Sequence, residues 1–182
     1  MKIYLVRHAE PDIDLKGWTN ILEHRKLLRK YYRTGIVLNE DKLKKVMSIV
    51  GDSVTIYSSN LPRAILTAKA AFPDRNIIQE KVFREVELPA VRIPIKANYF
   101  LWKSISRIFW IIRLSKGENF VRIKNRIFTA ADKLMKEAEQ HDIVLFGHGI
   151  MNSLITLRLL SKGWKYRGSP INNYWNVIIL KH

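Results

Sequence analysis

Two histidines in this sequence stand where an apolar run stops. His8 follows Arg7 at the end of KIYLV, residues 2–6, and His148 lies between Gly147 and Gly149 at the end of DIVLFG, residues 142–147. Neutral imidazole is a competent nucleophile, and a neighbouring cation keeps its lone pair available by opposing protonation. Arg63 sits in a third segment, SSNLPRAILTA, residues 58–68, in the first turn of an expected helix. Helix N-termini attract anions, and a guanidinium grips phosphate oxygens through a two-pronged fork. FREVEL, residues 83–88, carries Glu85 and Glu87 two apart, on one side of an extended segment, so either can be a proton donor. The chemistry these types share is phosphoryl transfer. Taken singly, each has a plainer reading: a strand-capping histidine, a surface arginine, a satisfied structural histidine, a solvated acidic edge.

The elements that must position these residues alternate along the chain. KIYLV reads as a buried strand ending at RHAEP, where Pro11 blocks further pairing. A helix is expected over 20–33, and another over 40–50 capped by Asn39. VTIY, 54–57, reads as a strand; Asn60 as N-cap and Pro62 in the first turn predict a helix over 61–71. NIIQ, 76–79, and KVF, 81–83, read as short strands, and 97–115 and 118–140 as helices. The strand 142–147 runs into a helix over 149–161, and WNVIIL, 175–180, closes the chain as a strand. This alternation predicts an α/β fold, three layers around a mostly parallel sheet. Active sites in such sheets collect beyond the carboxyl ends of the strands. The ends carrying Arg7-His8 and His148 should therefore be neighbours, with Gly147 and Gly149 leaving room for a ligand's oxygens.

Composition bounds the rest. The 182 residues make one ordinary domain, 1–182, long enough to bury a core without metal or disulfide staples. With 47% apolar and 26% charged residues, wholesale disorder is excluded. There is no cysteine, which excludes a disulfide framework, a thiolate zinc site, a cysteine nucleophile and thiol redox chemistry. A cytoplasmic location fits this, and no targeting segment is visible. The net charge of +16 favours anionic partners. The most apolar stretch, Tyr99–Leu114, is interrupted by Lys103, Arg107 and Arg113 and does not meet the requirement for a membrane span. Neither 24–39 nor 88–117 contains an acid. The second of these carries Arg92, Lys96, Lys103, Arg107, Arg113 and Lys116 among aromatics, and reads either as a core helix with a solvated basic stripe or as a basic, aromatic lid. The lid would select a substrate with extra negative charge or a large apolar part. No nucleic-acid motif is present, and neither nucleic acid nor a membrane surface is expected as partner. Trp164, Trp175, His24, His141 and His182 read as structural or exposed.

Four segments in this order resemble one family, the histidine phosphatase superfamily, also called phosphoglycerate mutase-like or branch 1. LVRHAE is similar to its Arg-His-Gly/Ala motif, and SNLPRAILTA to its Ser-x-x-x-Arg-Ala-x-x-Thr-Ala motif. FRE is similar to its acidic motif, and VLFGHG to its closing strand and His-Gly. The resemblance implies a phosphohistidine on His8, and phosphoryl oxygens held by Arg7, Arg63 and His148, with Gly149 beside them. It implies Glu85 as general acid and then base, with Glu87 as the alternative; Glu85 is preferred because it falls two after Phe83. It also implies that helical insertions, about 20–35 and 90–117, cover the site. Two arginines and a histidine supply charge, so neither metal nor cofactor is expected.

Departures from the family pattern favour hydrolysis over mutase chemistry. Ile150 stands where the mutases carry asparagine after His-Gly, and Asp14 where they carry asparagine six residues beyond the nucleophile. Ala9 and Pro89 replace the commoner glycines after the first histidine and the acidic motif. The expected activity is metal-independent hydrolysis of a small-molecule phosphate ester or a phosphoprotein. The alternatives are a phosphate-recognising module with little turnover and a mutase-type phosphotransferase. The natural substrate and the oligomeric state are left open.

Overall fold

Apolar runs become central strands here because helices cover both faces of the sheet. The structure is a computed structural model and describes residues 1–87, 91, 93–111, 120–167 and 173–182. It opens with β1 (Lys2–Arg7) and two short bridges, β2 (Glu10–Pro11) and β3 (Trp18–Thr19). α1 (Ile21–Arg33) begins on a capping box between Asn20 and Glu23. β4 (Ile36–Val37) leads to α2 (Glu40–Val50), whose Lys42 N–H donates to the Asn39 side chain. β5 (Thr55–Ser59), α3 (Pro62–Ala71) and β6 (Ile77–Glu80) follow. The cap region holds β7 (Ala97–Asn98) and α4 (Tyr99–Ile111). α5 (Phe120–Ala138), β8 (Ile143–Gly147), α6 (Gly149–Leu160), β9 (Lys165–Arg167) and β10 (Val177–Lys181) complete the order.

The main sheet runs β6-β5-β8-β1-β10-β9. β6, β5, β8 and β1 are parallel, and β10 and β9 add an antiparallel edge. Side chains alternate across the sheet as the pleat requires. Ile3, Leu5, Ile143 and Leu145 face one core with Ile123, Leu134 and Ile155 from α5 and α6. Tyr4, Val6, Val144 and Phe146 face the other with Val46, Val50 and Ala68 from α2 and α3. The result is the mixed α/β, three-layer architecture that the sequence predicts, with a mostly parallel sheet. Leu134 is fully buried in the first core. Leu134→Ala should lower stability by about 2–5 kcal/mol, read as a lower urea midpoint at unchanged slope; a shift under about 0.5 kcal/mol would contradict this packing.

Several local expectations are corrected. KVF, 81–83, is a 3₁₀ turn rather than a strand. Pro11 does pair: it bridges Ile36 in the two-residue β2–β4 ladder, an edge position where a missing N–H is tolerated. Asn60 does not cap α3. Leu61 holds that position without a side-chain bond, and the Asn60 side chain accepts from Arg84 Nε at 2.6 Å. α4 starts at Tyr99, because 97–98 pair with Trp18–Thr19. Pro89, Arg92, Arg113, Lys116 and the expected helix beyond residue 111 lie outside the described residues.

Candidate active site

β1 and β8 are adjacent and parallel, with Arg7 level with Gly147. The residues that follow, His8 and His148, therefore emerge side by side at the carboxyl end of the sheet. Their rings lie 5.1 Å apart. β5 is the next strand, beyond β8, and its end delivers Ser59; α3 then turns Arg63 back toward β1. Three neighbouring strand ends thus gather the functional groups, as the rule for parallel sheets requires.

His8 is buried, and its two ring nitrogens have opposite partners. Nδ1 lies 2.6 Å from the Ala9 carbonyl oxygen, which can only accept. Nε2 lies 3.0 Å from Arg63 Nε, whose N–H can only donate. The one assignment satisfying both is a neutral ring, with its proton on Nδ1 and a lone pair on Nε2. Burial holds the His8 pKa well below the usual histidine value, and Arg63, Arg7 and Lys103 push the same way; the bond to Ala9 opposes them. The loop is fastened by Thr67, whose Oγ1 accepts from Ala9 N–H and donates to the Arg63 carbonyl.

His148 is buried and its Nε2 lies 2.8 Å from Ser59 Oγ. A hydroxyl can donate or accept, so Ser59 serves either tautomer. Burial lowers the His148 pKa well below the ordinary value, reinforced by His8, Arg63 and Arg7 and also by Arg126. His148 Nδ1 and Arg63 Nη1 are buried with no hydrogen-bond partner among the described residues. Buried polar atoms of that kind cost free energy unless something pairs with them. Arg7 packs its guanidinium over the Tyr174 ring at 4.2 Å, and Arg63 lies over Tyr31 at 4.8 Å.

Glu85 is placed at the start of α6. Its Oε1 accepts from Met151 N–H and Val86 N–H at 3.0 Å, and its Oε2 from Ile150 N–H at 3.3 Å. It lines the same cleft as Arg7, Lys103 and Gly149. Glu87 is exposed and makes none of these contacts. The structure thus brings together Arg7, His8, Arg63, Glu85, His148 and Gly149, and leaves Glu87 outside.

Gly147 has a different reason from the expected one. A Cβ there would collide with the Asn152 side chain, so the space belongs to Asn152 rather than to a ligand's oxygens. Other site residues carried no sequence signal. Tyr174 lies in an irregular stretch just before β10, yet its ring sits 5.5 Å from His8. Tyr31 is hydrogen-bonded to both Tyr174 and Tyr99, and burial pushes Tyr31 and Tyr99 up to about 12. His24, read as structural, is buried and stacks on Trp102 at 5.4 Å while lining the cavity. Among the described residues, no group of three or more histidine or acidic side chains is placed to hold a metal, and no helix is long and apolar enough to cross a membrane.

Comparison with known proteins gives a family and a fold. The family model described as the histidine phosphatase superfamily (branch 1) matches residues 3–181. No curated protein sequence matches the chain. Among solved structures, TTHB049 from Thermus thermophilus is 20% identical over 98% of this chain and 92% of its own, with a TM-score of 0.60. A structure described as a putative alpha-ribazole-5'-P phosphatase from Escherichia coli is 16% identical over 87% and 79%, with a TM-score of 0.59. A phosphoglycerate mutase, also from Thermus thermophilus, is 21% identical over 83% and 80%, with a TM-score of 0.51.

Proposed function

The chain belongs to branch 1 of the histidine phosphatase superfamily, and on that footing we propose that it is a phosphomonoesterase working through a phosphohistidine on His8. The observation that carries this reading is the His8 Nε2 lone pair, held neutral and facing a guanidinium. A phosphate dianion entering the pocket competes for Arg63. Its oxygens take the guanidinium N–H groups, Arg63 Nη1 gains the partner it lacks, and Nε2 is released to attack phosphorus. Arg7 and His148 hold the remaining oxygens, and the pocket's positive charge stabilises the transition state.

The ester P–O bond breaks as the Nε2–P bond forms, and the leaving oxygen takes a proton from Glu85. Water then attacks the phosphohistidine, Glu85 removes its proton, and the electrons of the P–N bond return to Nε2. Splitting hydrolysis into two displacements replaces one hard step with two easier ones. Charge is supplied by arginine and histidine, so no metal is required by this scheme.

Turnover of p-nitrophenyl phosphate with EDTA present tests the reading. Activity unchanged by the chelator supports it. Orthophosphate binding without turnover would replace it with a phosphate-recognising module, and phosphoryl transfer to an added phosphoglycerate in preference to water would replace it with a mutase.

A further inference from the structure

α4 is largely apolar on the side it turns to solvent. At 3.6 residues per turn, Arg107, Phe100, Ser104, Ile108 and Leu101 fall on one arc of about 120°, and all five are exposed. Phe100 is 71% and Ile108 55% exposed, although both are large hydrophobic side chains. Trp18, 66% exposed, belongs to the same region: β3 pairs it with Asn98, and Trp18 and Phe100 line one groove. Leu22, in the first turn of α1, is as exposed as Trp18. Single exposed apolar residues are ordinary, but a group of them marks a surface that meets something other than water.

α1 adds charge. α1 and α4 lead off from one ladder, β3–β7, and pack on each other through His24 on Trp102 and Tyr31 on Tyr99, so their inward faces are used. The outward arc of α1 holds Leu22 with Arg25, Lys26, Arg29, Lys30 and Arg33, all exposed. None of these five cations is within ion-pair distance of a carboxylate among the described residues. Asp12 and Asp14 line a hollow with four of them, Glu10 and Asp14 line the Trp18 groove with Lys16, and Glu23 is held in the capping box. α4 carries no acid. These four acids are outnumbered by Lys16, Arg107 and the cations of α1.

An occupant must answer both the apolar side chains and the charge. A second copy of the chain would bring the same cations and be repelled. A single-stranded nucleic acid would meet the cations and stack on Trp18 and Phe100, but it offers Leu22, Leu101 and Ile108 nothing apolar to enter. Anionic lipid offers both, an acyl boundary for the apolar chains and phosphates for the cations. We propose that the outward faces of α1 and α4, with Trp18 between their starts, dock the protein on the surface of an anionic bilayer. No described helix is long and apolar enough to cross a membrane, so the contact is with one face of the bilayer. From the sequence alone no membrane partner is expected, because the pattern of α4 does not say which side turns outward. Phe100, Ser104 and Arg107 also line the cleft, so docking sets its mouth beside the headgroups. Docking of this kind does not depend on what the site hydrolyses.

Co-sedimentation with vesicles reads it out. The protein should pellet with phosphatidylcholine vesicles containing about a third phosphatidylglycerol, and not with phosphatidylcholine alone. Raising salt from about 0.1 M to about 1 M should release it. Trp18→Ser combined with Ile108→Ser should lower the partition coefficient about tenfold or more, and so should Lys26→Gln combined with Arg29→Gln. An unchanged urea midpoint shows that a variant keeps its fold. Wild-type protein supplies a second measurement: lipids brominated along the acyl chain should quench its tryptophan fluorescence, since Trp18 is exposed and the other four tryptophans are buried or half-buried. Anionic vesicles that pellet no protein, or binding that serine at both positions leaves unchanged, overturn the docking surface. So do an absence of quenching, tighter binding to a single-stranded oligonucleotide than to the vesicles, and a dimer in solution that the serine variant dissociates.

Discussion

Replacing His8 with alanine is expected to abolish phosphate release, with a loss on the order of 10⁴-fold or more in kcat. The His8 Nε2 lone pair is fixed by the partners of both ring nitrogens and faces Arg63, whereas the hydroxyl beside His148 leaves the tautomer of that ring open. His148 is equally buried, but its Nε2 is engaged by Ser59. The loss should be accompanied by disappearance of the covalent intermediate. Wild-type protein denatured in alkali during turnover of a radiolabelled ester should retain phosphate that acid then removes, which marks a P–N bond, and His8→Ala should retain none. A variant with more than a tenth of normal activity, or label that survives acid, would falsify the nucleophilic role of His8.

Arg63→Ala should cost on the order of 10²- to 10³-fold in kcat/KM, the range seen when one donor to a developing oxyanion is removed. Two effects add. The guanidinium proposed to hold the transferring oxygens is gone, and so is the charge that, after burial, does most to keep His8 neutral. The His8 pKa must then rise, so the acid limb of the pH profile should move to higher pH in the variant. Arg63→Lys should recover only part of the loss, because an ammonium cannot present the planar fork. Arg7→Ala and His148→Ala should each lose about 10²-fold by the same reasoning. An Arg63→Ala enzyme within threefold of wild type, with an unmoved acid limb, would mean that phosphate is held elsewhere.

The frame was legible because it obeys simple rules. The apolar runs 3–6 and 143–146 are too short for a helix and read as strands buried on both faces, and both lie at the centre of the sheet. Arg7, His8, Arg63 and His148 were legible because each stands at the edge of an element that pattern defines. The short bridges were not: two-residue ladders such as Trp18–Thr19 with Ala97–Asn98 have no periodicity to detect. Asn60 misled because its side chain found Arg84 instead of the α3 backbone, a tertiary choice with no local signature. Gly147 was recognised as necessary for the wrong neighbour, since nothing in FGHGI announces that Asn152 folds back against it. The tyrosines were hidden for the same reason. Tyr31 and Tyr174 meet only after α1 and the approach to β10 are both in place.

Synthesis order gives the placement of β1 a cost in time. Arg7 and His8 are made before either partner of their strand, since β1 is hydrogen-bonded on one side to β8 and on the other to β10. Even the backbone of Arg7 is clasped from that far end, its N–H donating to Asn176 and its carbonyl accepting from Trp175. β1 must therefore wait, apolar and unpaired on both edges, until residues 143–181 arrive. Contacts so distant along the chain make for slow closure, and a lone apolar strand with two open edges is the kind of segment that chaperones shelter.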